Sequence, residues 1–247
     1  MLLKLLKYEI KSSYGRFIVA FSVYIIIAAV LMTFFREYET VTTAALIFGM
    51  VALTVITFLT IFTRYNRNLY GNEGYLMFTL PIDGKVILAS KLISAFIWTV
   101  VLGLIIVPSI TILSLNYSDP SYIKNVYNYF EMNKLYTVTI GIEYLLNMFR
   151  SVLVIYFSIS ISKLHIWKKF SVLAGFGTYF IIELLSSIPT IIFKNVAMVS
   201  KTTRGLTVLV KDYSIHNILI GCSFDLLIFI VLFFLTAYLL DNKTSLK

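Results

Sequence analysis

The stretch FIVAFSVYIIIAAVLMTFF (residues 17–35) holds no charged side chain. As a helix it is long enough to cross a hydrocarbon core of about 30 Å. Five further apolar runs follow, at 41–62, 86–115, 136–161, 170–193 and 217–240. A barrel strand would alternate in polarity over about 10 residues, whereas these runs stay apolar for about 20 or more. A helix also satisfies its own backbone groups inside lipid. The expectation is an all-α integral membrane protein with six transmembrane helices, as a single domain over 1–247. The third run exceeds the span length, which predicts tilt or a kink at Pro108. Composition agrees: 59% of residues are hydrophobic and 13% charged, where a soluble domain carries about a quarter charged.

Orientation follows from the basic residues. With the N-terminus inside, the cytoplasmic segments hold Lys4, Lys7, Lys11, Arg16, Arg64, Arg67, Lys85, Lys91, Lys163, Lys168, Lys169, Lys243 and Lys247. The outer loops hold Arg36, Lys124, Lys134, Lys194, Lys201, Arg204 and Lys211. The bias predicts that both termini are cytoplasmic, although four of the outer residues crowd into the last loop. The net charge of +9 is then accounted for by orientation and anionic lipid rather than by nucleic acid. The first run reads as a span, not a signal peptide, because a basic lead precedes it and no small-residue cleavage site follows. The single cysteine, Cys222, allows no internal disulfide.

Residues 1–16 fit an amphipathic helix lying in the membrane interface. Leu2, Leu3, Leu6, Ile10, Tyr14 and Phe17 share one arc, with Lys4, Lys7 and Lys11 beside it to meet anionic headgroups. The outer loop 116–135 is rich in Asn and Tyr, as an interfacial belt would be. Residues 189–216 form the largest extracellular segment. Its first part is apolar enough to re-enter the membrane and its second, 206–210, is apolar and β-branched; the pattern assigns neither. Glycines at 175 and 177 suit close helix contact.

Catalytic signatures are missing. No phosphate-binding G-x-x-x-x-G-K-[ST] loop occurs, so the chain holds no ATPase of its own. His165 and His216 fall on opposite sides of the predicted membrane, and no H-E-x-x-H or cysteine cluster marks a metal site. The chain reads as non-catalytic, with no metal and no cofactor.

One polar segment interrupts the spans with distinctive chemistry: RYNRNLYGNEGYLMFTLP (residues 64–81). Asn72 suits a helix N-cap and Glu73 the first turn, near the positive end of the dipole. Tyr75, Leu76, Phe78 and Leu80 offer apolar contacts, and Pro81 ends the helix by disfavouring helical geometry at Leu80. An exposed helix with two aromatics and two leucines suits a protein partner.

This pattern resembles the type-2 ABC export permease family, whose loop between spans two and three follows E-x-G-[TY]-x-x-x-L-x-x-x-P and then a lysine. Glu73, Gly74 and Tyr75 match its start, Leu80 and Pro81 its end, and Lys91 the lysine, with slightly compressed spacing. The run GYLMFTLP is similar to a subgroup of small permeases of Gram-positive bacteria. The resemblance implies a bacterial cytoplasmic-membrane protein, with 1–16 as interfacial helix and 64–85 as cytoplasmic coupling loop. A separate ATPase, in two copies, would bind ATP and Mg and dock on Asn72–Pro81. A second permease subunit would complete a homodimer or heterodimer. Arg64 and Arg67 would pair with acidic groups of the ATPase or with lipid phosphate. The substrate implied is a hydrophobic or amphipathic peptide, such as a phenol-soluble-modulin-like toxin or an antimicrobial peptide.

Four ionisable residues lie within spans: Glu143, Arg150, Glu183 and Asp225. Such groups are costly in lipid and are functional candidates. They read either as an acidic outer vestibule for a cationic, amphipathic substrate or as internal pairing, with Arg150 neutralising one acid and water reaching the others. Two other function classes remain open on the sequence. One is a bacteriocin-immunity or scaffold protein, which needs no ATPase. The other is an ion-coupled carrier working through the intramembrane acids.

Overall fold

In a computed structural model, the described residues are 2–35, 37–71, 74, 82–117, 128, 134–167, 169–193, 197–203, 206–212 and 215–242. They fall into two compact units, within 1–129 and 130–244.

The first unit holds α1 (Leu2–Phe34), α2 (Glu39–Tyr70) and α3 (Gly84–Tyr117), each packed against the other two. The contact stripe of α1 is Glu9, Ser13, Phe17, Phe21, Tyr24 and Ala28, a three-to-four spacing that keeps one face inward. Leu46, Met50, Leu53, Thr57, Ile61 and Tyr65 do the same on α2. Ile87, Leu88, Leu92, Ala95, Trp98 and Leu102 are the buried apolar side chains of α3. The opposite faces stay apolar and exposed, as at Ile18, Ile26, Phe48 and Leu104, which suits lipid rather than water. The turn between α1 and α2 closes on the Phe35 carbonyl. It accepts from the Tyr38 N–H at 3.0 Å and from the buried Thr42 hydroxyl at 2.7 Å.

The second unit holds α4 (Lys134–Ser162), a 3₁₀ turn at His165–Trp167, α5 (Ser171–Phe193), and α6 (Ile215–Asn242). Here too each long helix packs on the other two. Between α5 and α6 lies an antiparallel pair, β1 (Ala197–Thr203) and β2 (Leu206–Asp212), in register from Ala197 opposite Asp212 to Thr203 opposite Leu206.

All six helices are long and apolar enough to cross a membrane, and the chain is read as a multi-pass membrane protein. The spans are all helical, as expected; the segment left unassigned by the sequence adds one hairpin, the β-branched run 206–210 having gone into β2. No break separates an N-terminal helix from the first span, since α1 is continuous for 33 residues. Pro108 lies inside α3. Of the two glycines expected at helix contacts, only Gly175 is at one. A Cβ there would stand 3.3 Å from Ser162 Cβ, whereas one at Gly177 meets nothing within 4 Å.

Candidate functional site

Two charge clusters lie in the described residues, one in each unit, the first buried and the second centred on a buried arginine. The first sits where α2 ends and α3 begins, at the root of the segment that joins them. Glu9 of α1 is 7% exposed and Lys91 of α3 3%. Arg64 Nη2 donates to Glu9 Oε2 at 2.8 Å and to the Glu9 carbonyl at 3.1 Å. Its Nη1 donates to Ser12 Oγ at 3.3 Å. Lys91 Nζ pairs with Glu9 Oε1, and Asn68 Nδ2 reaches the same oxygen at 3.5 Å. One carboxylate therefore ties residues before the loop, Arg64 and Asn68, to a residue after it, Lys91, through α1. Burying these charges is tolerable only because they are paired and hydrogen-bonded.

The contact continues up the same seam. Trp98 lies two turns beyond Lys91, and its indole N–H donates to Ser13 Oγ at 3.0 Å. That hydroxyl donates to the Glu9 carbonyl at 2.7 Å. The Trp98 ring stacks on Phe17 with centroids 4.3 Å apart and planes at 21°. Glu9–Lys91 and Phe17–Trp98 match in order, so α1 and α3 run parallel here.

The exit from α2 depends on glycine. The Gly71 N–H donates to the Arg67 carbonyl at 3.0 Å and the Gly74 N–H to the Gly71 carbonyl at 2.9 Å. A Cβ on Gly71 would stand 2.5 Å from the Arg67 carbonyl oxygen, and one on Gly74 would collide with that of Leu69. The glycine of the loop pattern thus has a steric reason. Asn72, Glu73, Tyr75, Leu76, Phe78, Leu80 and Pro81 lie outside the described residues.

The second cluster joins α4, α5 and α6. Arg150, 5% exposed, places Nη1 3.2 Å from Glu183 Oε2 and Nε 2.9 Å from Asp225 Oδ1. The second contact is an ion pair rather than an aligned hydrogen bond, since the Nε–H has no acceptor in line. Ser186 Oγ also lies 3.3 Å from Glu183 Oε2. Glu143 is half-buried on α4, with Oε1 at the open face of Gly221 on α6, 3.4 Å from where a Cβ would sit.

No family model, curated protein or solved structure matches the chain.

Several sequence expectations meet these positions directly. Arg64, expected to reach an ATPase or lipid phosphate, is turned inward onto Glu9; Arg67 is exposed. Of the apolar arc read in residues 2–17, Phe17 is packed against the bundle. Leu3 and Tyr14 point outward, while Glu9 and Ser13 face the bundle, because the carboxylate has two cations waiting on α2 and α3. Lys4, Lys7 and Lys11 are exposed. Arg150 pairs with two of the span acids, Glu183 and Asp225, where the internal-pairing reading gave it one. Glu9 was not singled out by sequence reading. Its signal is a lone acid among Lys4, Lys7, Lys11 and Arg16, four residues before Ser13 and eight before Phe17. Among the described residues no group of three His, Cys, Asp or Glu is placed to hold a metal ion.

Proposed function

We propose that the chain is the membrane subunit of an ATP-driven exporter of the type-2 ABC kind. It would work with a separate ATPase that docks on residues 72–81. The observation that carries this reading is the Glu9 cluster. A loop that only crosses the membrane surface needs no special root. This one has both roots, Arg64 and Lys91, locked to a third helix by one buried carboxylate. A push on the loop would then move α1, α2 and α3 together instead of bending one helix, as a rigid-body transition requires. The stacked Phe17–Trp98 pair extends that rigidity toward the span.

The remaining parts belong to the same proposal. Both termini face the cytoplasm of a bacterial, Gram-positive cell, and the exposed Lys4, Lys7 and Lys11 rest on anionic headgroups. Two ATPase copies bind ATP and Mg, and a second permease subunit, identical or different, faces this one. The cargo is a hydrophobic or amphipathic peptide. An ion-coupled carrier is the second reading, favoured by the Arg150–Glu183–Asp225 set; it would stop on neutralising those acids and would ignore ATP.

The test is reconstitution of the chain with an ABC-type ATPase subunit in inside-out vesicles. The exporter reading expects ATP-dependent uptake of a labelled amphipathic peptide. Uptake driven by an ion gradient without ATP would replace it with the carrier.

A further inference from the structure

The turn from α4 into α5 carries exposed side chains of two kinds. Ile166 is 84% exposed, and Trp167 and Phe170 are exposed beside it. Lys163 and Lys169 are exposed as well, and the sequence adds Lys168 to the same turn. No Asp or Glu occurs between Glu143 and Glu183. Among the described residues neither Lys163 nor Lys169 pairs with an acid. Lys169 Nζ lies instead 5.9 Å from the centre of the Phe170 ring, a cation against an aromatic face.

The backbone of this turn is tied to itself. The N–H groups of Lys163, Leu164, Trp167 and Phe170 each donate to the carbonyl three residues earlier, at 2.9 to 3.3 Å. A backbone satisfied in this way can lie at the edge of a bilayer, where water is scarce. The Ala174 N–H donates to the Phe170 carbonyl at 2.9 Å, which carries the helical pattern of α5 back to Phe170. An exposed apolar row then runs Phe170, Leu173, Phe176 and Phe180, at spacings of three and four. Carried back by the same spacing, the row reaches Trp167 and Ile166.

We infer that this turn is a binding site for anionic phospholipid. Lys163 and Lys169 hold the phosphate, and Ile166, Trp167 and Phe170 enter the acyl boundary. Two observations choose the occupant. The apolar row continues the lipid-facing side of a spanning helix, so what covers α5 also covers the turn. The ammoniums beside that row have no acid partner, so the lipid that meets them carries negative charge. Lysine stems can follow the apolar surface while their heads stay among phosphates, and tryptophan favours the same depth. A turn standing in water would instead expose three large apolar side chains within five residues. The inference needs only that these helices span a bilayer, and it stands or falls apart from the exporter reading.

The chain has two tryptophans, Trp98 and Trp167, so Trp98→Phe leaves Trp167 as the sole emitter. The full chain with this change is placed in phosphatidylcholine nanodiscs. These contain a fixed share of either phosphatidylcholine or phosphatidylglycerol brominated near the glycerol end of its chains. Strong quenching by bromine and weak quenching by aqueous acrylamide are expected. The affinity for phosphatidylglycerol relative to phosphatidylcholine should be about fivefold, the factor one lysine contributes at an anionic surface. Lys163→Gln/Lys168→Gln/Lys169→Gln should abolish that preference while bromine still quenches. Ile166→Ser/Phe170→Ser keeps every lysine and should open Trp167 to acrylamide. Thermal unfolding of both variants should match the Trp98→Phe parent, since the altered side chains of known position are exposed. Free access of acrylamide without bromine quenching would overturn the proposal and leave the turn to an acidic protein face. Equal quenching by the two lipids, or a preference that survives the lysine variant, would overturn it too.

Discussion

Replacing Glu9 by Gln changes almost no volume and removes one charge. Arg64 and Lys91 would then be two buried cations, 8% and 3% exposed, around a neutral amide. Removing one partner of a buried ion pair costs about 3–5 kcal/mol. Burial this complete leaves little solvent to screen the loss. The Gln side-chain oxygen still accepts one hydrogen bond, so the lower end applies, about 3 kcal/mol. That corresponds to roughly a hundredfold fall in the folded-to-unfolded ratio. Chemical unfolding in nanodiscs measures it, with the exposed Lys11→Gln as reference. The variant Glu9→Gln/Lys91→Met should recover part of the loss, since it removes a stranded cation as well as its anion. With Lys91→Met alone as the fourth corner, the cycle of wild type, two single variants and the double should give a coupling of about 1–3 kcal/mol. A Glu9→Gln change within about 0.5 kcal/mol of the Lys11→Gln control, the scale of an ordinary surface substitution, would refute the reasoning.

Trp98→Phe keeps the stack on Phe17 but removes the donor to Ser13, and should cost about 1 kcal/mol in the same unfolding assay. Arg150→Met leaves Glu183 and Asp225 without their shared guanidinium. It should destabilise by about 3–5 kcal/mol, and Arg150→Met/Asp225→Asn should be less damaging than the single change. Gly175→Ala presses a methyl against Ser162 and should cost about 1 kcal/mol net of the gain in helix propensity. Gly177→Ala meets open space and should be neutral or stabilising by up to about 1 kcal/mol; thermal unfolding separates the pair.

Much of this architecture is legible in hydropathy alone. Runs such as 17–35 and 41–62 have no other stable home, and each lies within a long helix. Hydropathy is blind to what joins helices. Glu9 lies among lysines whose spacing suggests a surface helix. Its burial depends on Arg64 and Lys91, 55 and 82 residues away, which no local pattern relates. Arg64 was read outward for the same reason: a cation at a span end is usually solvated, and only the facing carboxylate reverses that. The pairing of Arg150 was one of two open readings. Sequence spacing along a single helix shows Glu143 to be distant, but not that α5 and α6 bring Glu183 and Asp225 to the guanidinium. Residues 206–210 carried a β-branched signal, yet a strand needs a partner, and β1 is polar enough at Ser200–Thr203 to escape notice. The loop glycine Gly74 is the converse case, since a motif position turned out to have a steric cause.

The central claim is that force enters through residues 72–81. The most direct measurement is ATP hydrolysis by an ABC-type ATPase subunit co-purified with this chain, comparing wild type with Glu73→Ala/Tyr75→Ala/Phe78→Ala. The account predicts a stable wild-type complex whose hydrolysis is stimulated, and loss of that stimulation in the triple variant. Failure of any ATPase to bind, or full stimulation in the triple variant, would contradict it.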